Sequence, residues 1–227
     1  MILFAAFLSP KSFSSSSASS SLSLRPSISL LFKCLERSLV LVEQKLHFIA
    51  PPSFSKTEIN TDEKWIKICE QYQSISIPTG DIKQASFQKL QTAFEFFTEK
   101  RSRGEVDLSG TARSMFVIQE EAIQKKDFLQ SIQLLEKNKA PKYSSKQLQE
   151  ENKKLEELYA KTQSKPSGQI YGTVKKEDVQ ATQEAWMAYR DAWINFAKVR
   201  YPKYSSASIA TWFTKKRKHM LDSFHLN

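Results

Sequence analysis

The chain has 227 residues, 40% hydrophobic and 26% charged, with five glycines, eight prolines and a formal net charge of +10. That length suits one good-sized domain or two small ones, and so few glycines and prolines exclude a many-stranded sheet built on tight turns. The positive balance favours anionic partners such as nucleic acid, anionic lipid or wall polymers and says nothing of fold. Cys34 and Cys69, the only cysteines, exclude a disulfide framework and a zinc-ligand spacing, and read as free thiols rather than a single bridge.

Residues 1–55 differ from the rest. The tract "KSFSSSSASSSLSLRPS" buries almost nothing and cannot offset its ordering entropy, so disorder is expected. No acid precedes Glu36, and a Ser-rich, Arg-bearing, acid-poor leader has the character of a transit peptide. A secretory reading competes with it on the apolar runs "MILFAAFLS" and "SLLFKCLERSLVLV". The second run is broken by Lys33, Glu36 and Arg37, so no membrane span is expected.

From about residue 60 the pattern is helix, turn, helix, which predicts an all-α fold. A first helix is expected at about 62–73, followed by a hairpin of two long helices. "SSKQLQEENKKLEELYAKT" keeps Leu148, Leu155, Leu158 and Tyr159 in helical register, with Ser144 and Gln147 spaced as a capping box, and predicts a helix over 145–163. A longer helix over about 175–200 carries Val179, Trp186, Tyr189, Trp193 and Phe196 as an apolar stripe and stops at Pro202. The last helix starts at Ser205 or Ser206 and presents Ile209, Trp212, Phe213, Met220, Leu221 and Phe224. "PKYSS" stands at both 141–145 and 202–206, each time before a helix, and reads as a re-used start signal.

A longer self-similarity runs beneath these elements. "GDIKQASFQKLQTAFEFFTEK" from Gly80 aligns without a gap on "GTVKKEDVQATQEAWMAYRDA" from Gly172, an offset of 92. Gln91 meets Gln183, Phe94 meets Trp186, Phe97 meets Tyr189 and Glu99 meets Asp191. At the same offset "KKDFLQSI" lies over "RKHMLDSF", so that Lys125 meets Arg217 and Leu129 meets Leu221. The register predicts two tandem three-helix units, 56–139 and 140–227, after the 1–55 leader.

"Q183-E-A-W186-M-A-Y189-R190-D191" resembles the Gln-x-x-Trp-x-x-aromatic-Arg-Asp signature of the LprI-like lysozyme inhibitor family. "N152-K-K-L155-E-E-L-Y159" is similar to the family's Asp-x-x-Leu-Asn-x-x-Tyr helix, departing from it at Asn152 and Glu156. "T214-K-K-R217-K-H-M-L221" resembles its closing Thr-x-x-Arg-x-x-x-Leu. The likeness spans about 148–224, and the earlier unit is a degenerate copy with Thr98 in the place of Arg190. Family members carry a cysteine shortly after the Arg-Asp pair, where "DAWIN" has none. The resemblance implies a non-enzymatic protein of the cell envelope or periplasm that binds a lysozyme-type muramidase or a wall component.

Read as residues, the signature is the interior of a helical bundle: Trp186, Tyr189, Trp193 and Phe196 form the core stripe. Arg190 is expected to lie along a ring face or reach Glu156 or Glu157. Neighbours on a helix point about 100° apart, so Arg190 and Asp191 are not expected to pair with each other. Asp191 is instead assigned to Arg217, and Glu99 to Lys125, as one interhelical ion pair present in both units.

Enzyme chemistry and cofactors are not expected. His47, His219 and His225 have no metal-ligand spacing, and there is no phosphate loop or Gly-x-Ser-x-Gly elbow. "KKRK" at 215–218, with Lys198, Arg200 and Lys203 nearby, could grip phosphates, but a solvated helix face is the favoured reading. Binding of a basic muramidase would call on an acidic patch formed by Glu150, Glu151, Glu156 and Glu157. The alternatives are a structural helical-repeat protein with another partner and a basic nucleic-acid-binding module.

Overall fold

The computed structural model describes residues 56–75, 80–165 and 168–225. The expected disorder and targeting character of 1–55, with Cys34 and His47, lies outside the described residues. Among the described residues six α-helices follow one another: α1 (Lys56–Gln73), α2 (Asp81–Gly104), α3 (Arg113–Glu136), α4 (Ser145–Gln163), α5 (Lys176–Arg200) and α6 (Ser206–Asp222). Two short strands, β1 (Gln169–Tyr171) and β2 (Val174–Lys175), stand between α4 and α5, and a 3-10 turn over Ser223–His225 closes the chain. The fold is all-α, and among the described residues no helix is long and apolar enough to cross a membrane.

Local chemistry sets the helix ends. The Ser144 hydroxyl accepts from the Gln147 amide at 3.3 Å while the Ser144 amide donates to Gln147 Oε1 at 2.8 Å, the capping box read from the sequence. Ser205 accepts from the Ser208 amide at 3.1 Å and starts α6. α5 carries Glu177 and Asp178 in its first turn and Lys198 and Arg200 in its last, each sign complementing the helix dipole, and it ends just before Pro202.

Packing follows one scheme in both halves. α1 lies on α3, α2 packs against α3, α4 lies on α6, and α5 packs against α6. The most extensive contact joins the middle helices, α2 and α5. They run antiparallel, since Phe87 touches Phe196, Phe97 stacks on Tyr189 with centroids 5.2 Å apart, and Gly104 lies against Asp178. Phe97 and Tyr189, partners in the 92-residue register, therefore meet face to face at this seam. Trp193 stacks on Phe213 at 4.8 Å and Phe94 contacts Phe128 at 4.6 Å, extending the aromatic layer across α6 and α3. Each such buried ring contributes about 1.5–3 kcal/mol by leaving water. The stretches 56–139 and 140–227 share this single core and belong to one compact unit, Ile49–Asn227.

The β-hairpin is absent from the helical pattern of the sequence. Gly172 turns it with φ +51°, burying Ile170 and Val174 on one side. Asp107, in the loop between α2 and α3, accepts from the Thr173 amide at 3.1 Å and from the Ser109 amide at 3.0 Å. These backbone bonds hold its carboxyl below the ordinary carboxylate range. A Cβ on Gly172 would overlap the Asp107 carboxylate, whereas Gly110, also at positive φ, faces open space. Gly172→Ala, which adds a clash with Asp107 to the backbone strain, should therefore destabilise the protein more than Gly110→Ala, for which strain alone predicts about 1 kcal/mol, compared by urea midpoints.

Candidate functional site

The signature helix α5 and the closing helix α6 meet at Arg217, whose side chain is 0% exposed. Its Nε donates to Gln183 Oε1 at 2.8 Å. Its two terminal nitrogens donate to the Glu105 carboxylate at 2.7 and 2.6 Å, a bidentate pair whose acid is equally enclosed. Glu105 caps the C-terminus of α2, where the helix dipole disfavours an acid, and guanidinium groups offset that cost. Arg101 donates to Glu105 at 2.7 Å and, through Nε, to Glu120 at 2.6 Å; Gln124 donates to Glu120 at 2.7 Å. One unbroken chain of bonds thus runs from α3 through α2 and α6 to α5, with two cations alternating with two anions. Burial acts to lower the Arg101 pKa, but Glu120 and Glu105 outweigh it and hold the group above its ordinary value.

This arrangement corrects the expected clasp. Arg217 pairs with Glu105, and Asp191, with 62% of its side chain exposed, faces away from it. α5 and α6 run antiparallel, so Arg217 stands opposite Gln183, and Asp191 lies eight residues farther along, about 12 Å up the axis. Arg190 and Asp191 approach each other after all, at 3.4 Å, because the long Arg side chain spans the angle between them on the surface. Arg190 also lies over the Trp186 ring at 4.9 Å, as expected, but not against Glu156 or Glu157. The copy of the pair in the first half is likewise not formed: Glu99 is exposed beside Arg103 at 3.9 Å, and Lys125 donates to Cys69 Sγ at 3.5 Å.

Trp186, Tyr189 and Leu221 are buried, as are Phe94 and Phe97, while Leu129 packs at the edge of the core and Gln91 is half-buried. The basic run 215–218 is not a solvated face. Lys216 donates to both Asp127 oxygens at 2.7 Å and to Ser131 at 2.8 Å, lying over the Trp212 ring; burial leaves its pKa below the ordinary lysine value. Lys218 donates to Glu151 at 2.8 Å, and only Lys215 is exposed, over Tyr143. The acidic patch is reduced in turn: Glu151 is claimed by Lys218 and Lys154, and Glu157 faces Lys153.

Two motif bonds tie the three resembling segments together. Thr214 donates to Asn152 Oδ1 at 3.2 Å, joining α6 to α4, and Arg217 to Gln183 joins α6 to α5. Arg101, Glu105 and Glu120 escape sequence reasoning because Glu105 stands past the last turn of α2 and 112 residues from its partner. The one available signal is an arginine on an apolar face, which requires a carboxylate somewhere. No family model, no curated protein and no solved structure matches the chain.

Two outcomes follow. Arg217→Met leaves the buried Glu105 with Arg101 alone and should cost about 3 kcal/mol, Arg217→Met with Glu105→Leu should recover much of it, and Asp191→Ala should change stability by less than about 0.5 kcal/mol, all read from denaturant melts. The hydrogen bond from Lys218 holds Glu151 below its ordinary value of 4.5. Its stabilisation is therefore complete above pH 4.5 and lost as pH falls through the lower folded value, so Glu151→Gln should flatten the acid limb of a stability profile.

Proposed function

We propose that the chain is a non-enzymatic helical binding module of LprI-like type, two tandem units long, which engages a muramidase or wall component of the cell envelope. The observation that carries this reading is the interlock of the signature: Gln183, Arg217, Thr214 and Asn152, drawn from three separate segments, bond to one another across α5, α6 and α4. A motif that spends Gln183, Arg217 and Thr214 on bonds within the bundle, with Trp186 and Tyr189 in the core, specifies a scaffold rather than a reacting centre. The tandem reading is supported by the repeated order of helix packing and by the Phe97–Tyr189 stack between register partners.

Binding would occur on the surface this scaffold presents. With Glu151 and Glu157 facing lysines, a basic muramidase gains little long-range attraction from α4. Affinity would then rest on short-range contact and vary little with salt.

The test is turbidimetric lysis of a cell-wall suspension by lysozyme with the full-length chain added, at roughly 50 and 300 mM salt, where screening differs by more than twofold in length. Slowed lysis at micromolar protein, similar at both salts, is the expected result. Unchanged lysis at that concentration rejects inhibition and leaves a structural helical-repeat protein with another partner.

A further inference from the structure

The net charge is not spread evenly. Residues 136–146 carry Lys137, Lys139, Lys142 and Lys146 against Glu136 alone, and 198–206 carry Lys198, Arg200 and Lys203 against no acid. These twenty residues hold a surplus of six positive charges, whereas the rest of 56–227 is close to neutral. The fold brings them together at one end of the bundle, where the two "PKYSS" copies dock on each other. The Ala140 amide donates to the Tyr204 hydroxyl at 3.1 Å. Ser208 Oγ accepts from the Tyr143 amide at 2.7 Å and donates to the Pro141 carbonyl at 3.3 Å. Each copy thereby fixes one lysine, Lys142 or Lys203, on the same end.

The chemistry of the end face selects among anions. Lys137, Lys139, Lys142, Lys146, Lys198 and Lys203 are exposed, and among the described residues none has a carboxylate within ion-pair distance. The N-termini of α4 and α6 and the C-termini of α3 and α5 meet here, so helix dipoles largely cancel and the field belongs to the lysines. Of the large exposed apolar side chains on the described residues, Ile82 stands near this end, because α2 starts where α5 stops, whereas Phe96 and Met187 lie farther along the bundle. One isoleucine gives a bilayer little to bury, and interfacial binding needs apolar area as well as charge. Arg200, the one arginine of the two segments, is held by Glu136 at 3.2 Å and stacked on Tyr201. What remains is an array of point charges on flexible stems, anchored on paired loops, that suits a run of backbone phosphates rather than base edges.

We infer that the end face formed by the paired "PKYSS" loops binds the phosphate backbone of duplex nucleic acid independently of sequence. It goes beyond the muramidase reading, using other residues and another probe, so either can fail alone.

The experiment is fluorescence anisotropy of labelled DNA duplexes with the full-length chain. If about five phosphates are neutralised, affinity should fall about 500-fold between roughly 50 and 200 mM salt, alike for AT-rich and GC-rich duplexes. The variant K137Q/K139Q/K142Q/K203Q should bind at least about tenfold more weakly with a shallower salt slope, and the arginine version at the same four positions should retain binding. K89Q/K126Q/K161Q/K175Q, with the same net charge, should bind as the parent does. Equal loss in that control, no binding at the lower salt, or equally tight binding to phosphatidylglycerol vesicles per phosphate would each overturn the inference.

Discussion

The buried pairing of Arg217 with Glu105 is the constraint on which the rest of the arrangement depends. Removing two charges from water costs several kcal/mol per ion, and only near-ideal geometry returns it. Here the geometry is near-ideal: the carboxylate accepts from both terminal nitrogens of Arg217 and again from Arg101, and Gln183 accepts from Arg217 Nε. The chain of four charges sums to zero, so no net ion is left in the interior. If α6 slid by one turn, about 5.4 Å, Arg217 would lose its acceptors while staying among apolar side chains. The cluster thereby fixes a register that the surrounding rings, which attract without direction, do not fix for themselves.

Its position also determines what it joins. Glu105 and Arg101 belong to the first half of the chain, and Arg217 and Gln183 to the second. The aromatic seam between α2 and α5 brings the halves together through area, while the ionic chain determines how they sit. Lys216 adds a second polar tie on the other side of α6, reaching Asp127 and Ser131 on α3. At the 92-residue offset Arg101, Glu105 and Glu120 correspond to Trp193, Ala197 and Trp212. These three polar positions of the first half are thus apolar in the second, whereas Arg217 and Gln183 meet Lys125 and Gln91, so the ionic chain closes only between the halves.

The same economy governs the outside. Three members of the 215–218 run turn inward or onto Glu151, which removes the most conspicuous basic string from solution. Lysines scattered through two loops, less prominent when read along the chain, become the concentrated charge because Tyr204 and Ser208 draw those loops together. Surface character follows from which charges the core consumes.

Helix positions were legible in the sequence because the terms that decide them act within about four residues. The Ser144–Gln147 box, the stop before Pro202 and the period of Val179, Trp186, Tyr189, Trp193 and Phe196 needed nothing beyond their neighbours. The offset of 92 likewise lay in the chain alone. Ion-pair partners did not. Asp191 and Glu105 both offered a carboxylate to Arg217, and the choice rested on the rotation and antiparallel register of α5 against α6, set by packing among helices distant in sequence. The β-hairpin was hidden for a related reason, since Gly172 turns against a carboxylate 65 residues away in the chain. Local periodicity determined which faces are greasy; only the assembled bundle decided which charges meet.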